Sequence, residues 1–385
     1  MNLTWAQVIA SLSAGRALIQ IANTPPAAAE YLGGRFLPRV QRPDYDIAGG
    51  QIEIRSVMAG HVGMDSAYPQ GSAIQLRDYG HKTAKLAQAI ELGEEPARNL
   101  QKLLLLAQAG QAQGRSVQDF MGEAGLNLFT KGVVQSLDDS AEYLTMQALT
   151  RGKIDWTFNG RQLKVDYKVP AANRVSLTGT AKFSGPDSQF WKQLTAGEKK
   201  VKGSVGVVMS QDTLQVILDN PVHRIEVVSD VYSPERNIRT VQIRKLARMV
   251  ATADGGVGYT AETTSDQRTS ATLIGYGREG QIIDPTTPGE TIGVQMVPDN
   301  VVAVIGRNTS NELVSLNGTP LPQQALGYYH VAPTVEGTWR GEALGRWGRI
   351  YSPENNPYLL VGEGVENGLP VIRNGERLFI IESEA

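Results

Sequence analysis

The chain has 385 residues, more than the ~250–300 at which a single core stops growing, so one large composite domain or two are expected. With 37 basic against 39 acidic residues the formal net charge is −2, which excludes a global field drawing the chain to nucleic acid or an anionic membrane. The absence of cysteine excludes disulfides, thiolate metal sites and cysteine nucleophiles together, and fits a protein made in a reducing cytoplasm.

The first ten residues carry no basic leader, and Arg16 falls where a signal peptide would place small residues, so they read as mature sequence. Thr24 to Pro43 contains prolines that deny it a long helix or a central strand; it reads as an arm unable to build much core by itself. Gln51 to Val57 and Ser72 to Tyr79 alternate as strands do, on either side of turn chemistry from Gly60 to Gly71, which predicts a long hairpin-like loop.

Lys82 to Leu92 and Pro96 to Gln113 are rich in helix formers and are read as helices. Leu103 to Ala107, the most apolar run, is far short of the ~20 residues needed to span a bilayer, so no membrane partner is expected. Ser116 to Gly152 is read as a bent or interrupted helix because of Gly122, Gly125 and Gly132. Its last part carries the clearest stripe, Leu137, Ala141, Leu144 and Ala148, with Asp138 and Asp139 read as helix-end acids and Arg151-Gly152 as the stop.

Lys153 to Phe158 and Gln162 to Tyr167 alternate around Asn159-Gly160, a hairpin signal. Short helices are expected at Ser188 to Gly197 and Ser210 to Asn220, flanking a strand at Ser204 to Met209. Pro234 to Ala253 is read as a further helix with Ser233 as N-cap. Strands are expected at Ser270 to Ile274, Gly293 to Met296, Asn300 to Ile305, Tyr328 to Ala332, Tyr358 to Val361 and Leu378 to Ile381. Helices early and strands late make the class α+β.

The chemistry-bearing patterns have bland explanations. Gly275-Tyr-Gly-Arg-Glu-Gly has the letters of a dinucleotide loop, but Pro285 and Pro288 deny it the following helix, so it reads as a glycine-rich turn. His61, His81, His223 and His330 have no spacing that places two on one helix face. Asp138/Asp139 and Glu94/Glu95 sit in helix-end contexts, and no nucleophile-elbow or phosphate-loop run occurs. Of the basic stretches, Glu198 to Lys202 and Arg236 to Arg248, the second reads first as a solvated helix face and otherwise as a contact for acidic neighbours or nucleic acid. Trp156, Phe158, Phe183, Phe190, Trp191, Trp339 and Trp347 read as core or interface anchors. No catalytic, cofactor-binding or metal-ligating residue is assigned, and no cofactor is expected.

The order of elements carries a resemblance. A proline-rich arm, an extended loop, a long helix ending in Ala148-Leu-Thr-Arg-Gly-Lys-Ile-Asp, a ribbon reaching Val165-Asp-Tyr, the Trp191 helix and a strand entered through Val297-Pro-Asp-Asn resemble the lambda-like (phage capsid E) major capsid proteins of tailed bacteriophages. The likeness runs from about Ile52 to Gly306, with Asn308 to Ala385 departing from the lambda type. It implies an α+β Hong Kong 97-like fold, with an arm at 1–50, an extended loop at 51–80, a peripheral domain at 81–194 and 358–385 and an axial domain at 195–357. It also implies a non-enzymatic subunit assembling into hexamers and pentamers of an icosahedral head, made in the host cytoplasm. Portal, scaffold and decoration proteins and non-specific contact with packaged double-stranded DNA are the partners it implies. Some relatives crosslink their shells through a loop lysine; Gln51 to Tyr79 has none, while Lys82 and Lys85 lie beyond it, so no crosslink is expected. An encapsulin-like compartment shell and a soluble α+β hydrolase are the alternatives left open.

Overall fold

The computed structural model describes residues 31–44, 46–54, 74–92, 98, 125–158, 161–246, 248–251, 257–260, 270–283, 291–307, 325–339, 345–355, 359–372 and 374–384. The expected turn at 60–71 and most of the expected helix at 96–113 lie outside these residues. The arm enters as a single helical turn, α1 (Gly33–Phe36), then β1 (Arg39–Gln41), and the extended loop is a ribbon of β2 (Asp46–Ile54) paired antiparallel with β3 (Ile74–Lys82).

The segment read as a helix at Lys82 to Leu92 is instead a strand, β4 (Ala84–Leu92). Its residue types favour helix, but Leu86 is buried between exposed Lys85 and Ala87, and Ile90 and Leu92 share Leu86's side of the pleat. A partner strand thus overrides intrinsic preference, and the period-two pattern is the signal that counts.

The long helix follows, and the expected interruption is a π-helical stretch, Leu128–Val134, running through Gly132 into α2 (Gln135–Arg151). Gly152 ends it in the left-handed region at φ 62°, its N–H bonded to the Ala148 carbonyl at 3.0 Å. A Cβ there would also lie 2.5 Å from Val169 Cγ2. Gly152→Ala is expected to cost about 1–2 kcal/mol from backbone strain alone, seen as a lower melting temperature. β5 (Lys153–Phe158) and β6 (Arg161–Asp166) form the expected hairpin.

β7 (Arg174–Leu177) leads to α3 (Phe190–Val201), β8 (Ser204–Met209) and α4 (Gln211–Asp219), whose N-cap Ser210 accepts from the Thr213 N–H at 3.1 Å. The helix expected at Pro234 to Ala253 is instead β-structure. β9 (Ile225–Ser233) turns at Pro234 into β10 (Ile238–Lys245), and β11 (Arg248–Ala251) pairs with β12 (Val257–Thr260). Ser233-Pro234 suits a turn as well as a helix start; Asn237 takes φ 51° to close it, and Ile238-Arg-Thr-Val-Gln-Ile then alternates, burying Val241 and Ile243. β13 (Ser270–Tyr276), the ribbon β14 (Glu279–Ile283) with β15 (Thr291–Gln295), and β16 (Val301–Gly306) complete this part. Gly275 to Gly280 therefore joins two strands, with β14 standing where a dinucleotide loop would need a helix.

The last third supplies β17 (Gly327–Ala332), α5 (Val335–Trp339), β18 (Trp347–Tyr351), the 13-residue β19 (Leu360–Ile372) and β20 (Leu378–Ser383). Two main sheets result. In the five-stranded one, β19 pairs with β4 along one edge and with β18 and β17 in succession along the other, while β1 lies parallel to β17. The seven-stranded one runs β7-β20-β16-β8-β13-β10-β9. Strands 327–372 thus join the sheet of β4, and β20 joins that of β8.

Both faces of the seven-stranded sheet are covered. Val207, Met209, Leu273, Val304 and Phe379 pack under α3 and α4 with Phe190, Leu194 and Leu214. Val208, Ile274, Ile305 and Ile380 face the other way into a core shared with α2, the arm and the five-stranded sheet. Long buried runs such as Leu378 to Ile381 reflect this double coverage. Helix α2 is the element between the two sheets.

Candidate functional site: the joint between arm, long helix and sheets

Among the described residues no three His, Cys, Asp or Glu side chains gather as a metal site. His223 bonds the Ile217 carbonyl and Ser188 Oγ, both at 2.7 Å, and His330 bonds the Asp44 carbonyl at 2.8 Å; each is buried and engaged locally. His61, Glu94 and Glu95 and the side chains of His81, Phe158 and Trp339 lie outside the described residues. Phe183 meets Phe190 edge-on and Phe190 lies tilted against Trp191 in the core at the start of α3, Trp347 is buried, and Trp156 meets Tyr143 edge-on. Of the basic stretches, Arg239 and Arg244 are ion-paired on the strand β10, and Lys200 lies over the Phe379 ring.

The dense polar chemistry lies along one side of α2. Asp138 and Asp139 are not helix-end acids. The π-helical stretch continues the helix backwards, so they sit mid-helix without free amides to cap. They and Glu142 instead receive partners from three separate parts of the chain: the arm, the segment joining β13 to β14, and Arg346.

Asp138 meets Arg39 Nη2 at 2.8 Å and Arg346 Nη2 at 2.6 Å, and both arginines also pair with Glu366 of β19. Two guanidiniums and two carboxylates make a neutral set, with Glu366 wholly buried and Arg346 nearly so. Burial alone would push the Glu366 carboxyl up, but Arg346 and Arg39 outweigh it and hold it below the usual range. Arg39 also lies over the Tyr329 ring.

At the next residue, Asp139 accepts from Tyr31 Oη and Arg278 Nη2, both at 2.8 Å, and Arg278 stacks over the Tyr31 ring at 4.3 Å. Glu142 accepts the Gly33 N–H through both oxygens, at 2.9 and 3.2 Å. Only glycine fits there, since a Cβ on residue 33 would stand 2.5 Å from Glu142 Oε2. Burial raises Glu142 from 4.5 to about 7, opposed by the Gly33 amide, the Tyr276 hydroxyl and Arg278.

Glu142 therefore keeps its proton in the folded chain to about pH 7 but loses it near 4.5 when unfolded. The folded state binds the extra proton between those values, so this contribution is full below pH 4.5 and is lost as pH rises through 7. It amounts to roughly 3 kcal/mol at most. Glu142→Gln is expected to flatten that slope, read by comparing urea midpoints of the two proteins from pH 4.5 to 8.

No motif announced this joint. A sequence signal existed only for its centre, three carboxylates at i, i+1 and i+4 of a strongly striped helix; the arginines come from positions about 100 to 200 residues away and have no shared spacing.

The comparisons with known proteins can be set against this geometry. The family model described as "Phage major capsid protein E" matches residues 16–222, more than half of the chain and including the arm, the β2–β3 and β5–β6 ribbons and α2. The chain belongs to that family. It is a major capsid protein with a Hong Kong 97-like fold. A crystal structure described as a prophage capsid protein from Escherichia coli CFT073 superposes with a TM-score of 0.55 at 11% identity, covering 96% of this chain and 99% of that one. A phage-related protein from Bordetella bronchiseptica RB50 gives a TM-score of 0.48 at 11% identity, covering 95% and 96%. The SrpI encapsulin of Synechococcus elongatus PCC 7942 gives 0.41 at 8% identity, covering 95% and 94%. No curated protein matches the sequence. As a capsid protein the chain is a component of the virion shell and assembles with copies of itself, and no helix among its described residues is long and apolar enough to cross a membrane.

Proposed function

We propose that the chain forms the hexamers and pentamers of an icosahedral phage head, assembled in the bacterial cytoplasm around packaged double-stranded DNA, with portal, scaffold and decoration proteins as partners and without catalysis of its own. Beyond the family itself, the observation that carries this reading is the β2–β3 ribbon. Among the described residues its two nine-residue strands pair only with each other. An isolated two-stranded ribbon is marginal in water and gains stability by lying on another surface, here a neighbouring subunit.

The sheets suggest the division of labour. The peripheral domain comprises α2, the β5–β6 ribbon and the sheet of β4, β17, β18 and β19; the axial domain comprises the seven-stranded sheet with α3 and α4. On this proposal 327–351, expected in an axial domain of 195–357, go with the peripheral domain, while β7, the start of α3 and β20, expected in a peripheral domain of 81–194 and 358–385, go with the axial one. The joint on α2 then fixes the angle between the domains and the seating of the arm.

Negative-stain microscopy and sedimentation of the purified chain at several salt concentrations test the reading. Capsomers, tubes or closed shells are expected; a monomer unaffected by concentration, salt or scaffold would overturn it, and enzyme cargo in place of DNA would favour a compartment shell. Lys85, whose ammonium meets Glu336 Oε1 at 2.8 Å, lies on β4, beyond the ribbon. Mature particles boiled in detergent are accordingly expected to run as a single monomer band, and a ladder of covalent multimers would contradict the absence of crosslinks.

A further inference from the structure

Of the ten exposed large hydrophobic side chains among the described residues, seven fall between Val216 and Leu246. Four are on β9, where Val227, Val228, Val231 and Tyr232 are 46 to 61% exposed. Val216 on α4, Val222 after it, and Leu246, whose N–H bonds the Arg224 carbonyl, extend the patch along the same margin. Among the described residues β9 is the edge of the seven-stranded sheet and pairs with β10 alone.

Register shows that this edge is apolar on both faces. Tyr232 and Val227 oppose Arg239 and Ile243, on the side of α4, while Val231 opposes Thr240, on the other. Solvent-facing edge strands are normally protected by charge, proline or shortness. β4, also a nine-residue edge strand, shows that protection in its exposed Lys85 and Glu91. β9 has no lysine, arginine or proline, and its two carboxylates are neutralised from β10, Glu226 by Arg244 and Asp230 by Arg239, each at 2.7 Å. A surface with compensated charge is unsuited to the phosphates of DNA and suited to burial against protein. At nine residues the strand spans roughly 30 Å, enough to seat a subunit contact of about 800 Å² per partner.

Resting on the capsid reading, we propose that the β9 edge and the adjoining margin of α4 are buried against a second copy of this chain within the capsomer. The neighbours of a shell subunit are copies of itself, and a nearly neutral, two-faced apolar edge is what such a neighbour can enclose. The contact supplies on assembly the protection that the free strand lacks.

The test uses the full chain. Val228→Lys together with Val231→Lys, both at exposed positions, is expected to leave the circular dichroism spectrum and melting temperature unchanged and to cut the assembled fraction roughly tenfold or more in sedimentation. Val335→Lys, at an exposed apolar site on α5, is expected to assemble normally. A benzophenone amino acid replacing Tyr232 should, on irradiation of assembled particles, give a covalent dimer; this readout decides the matter if the double variant fails to fold. Wild-type-like assembly of a folded double variant, or no dimer on irradiation, would overturn the interface while leaving the capsid reading intact. A wild-type chain that never assembles would overturn both.

Discussion

Replacing Arg346 by methionine is expected to lower the unfolding free energy by about 3–5 kcal/mol, the cost of leaving a buried carboxylate without its counter-charge. Glu366 is wholly buried, and with Arg346 gone only Arg39, at 3.6 Å, remains to compensate it. Asp138 would at the same time lose its 2.6 Å partner. Replacing both Arg346 and Glu366 with apolar residues of similar volume should recover much of the loss, because the desolvation cost of the pair disappears with its attraction. Chemical denaturation of the single and double variants checks this. Equal losses in both would show that packing, and not charge, holds the joint. Since Asp138 is on α2, Glu366 on β19 and Arg39 in the arm, the single variant is also expected to loosen the arm, read as faster proteolysis near residue 39.

Phe36→Ala is expected to cost a similar amount, about 3–5 kcal/mol, the usual range for emptying a fully buried phenylalanine site. Phe36 has no exposed surface; its carbonyl accepts from the N–H of Leu326, just before β17 of the five-stranded sheet, at 2.9 Å, while its ring reaches the seven-stranded sheet. It fills the space left by Gly206 of β8, where a Cβ would stand 2.8 Å from the ring. Gly206→Ala should therefore destabilise the wild-type chain but be tolerated in the Phe36→Ala background. The two changes are neighbours and should couple, so the double variant is expected to be more stable than the sum of the single losses. Additive losses in denaturation would mean that the ring and residue 206 do not meet.

These predictions turn on residues whose partners are remote in sequence, and that marks the limit of the sequence by itself. It determined the α+β class, the long helix to its Gly152 stop, the β5–β6 hairpin, the strand at Ser204 to Met209 and most late strands, because each is written in local periodicity and capping. It also carried the family, through the order of elements. Where propensity and alternation disagreed, as at Lys82 to Leu92 and at Pro234 to Ala253, only the tertiary structure decided. A strand edge offered by β19 or β13 supplies hydrogen bonds and burial that outweigh a few tenths of a kcal/mol per residue of helix preference. Sheet membership was likewise invisible. That residues 327–372 join the sheet of β4, through β19, while β20 crosses back to β16 depends on contacts separated by up to nearly 300 residues. The joint on α2 is the extreme case. Asp138, Asp139 and Glu142 are ordinary helix carboxylates until Arg39, Arg278, Arg346 and the Gly33 amide reach them; pairing then makes the two aspartates structural charges, and burial makes Glu142 hold its proton to about pH 7.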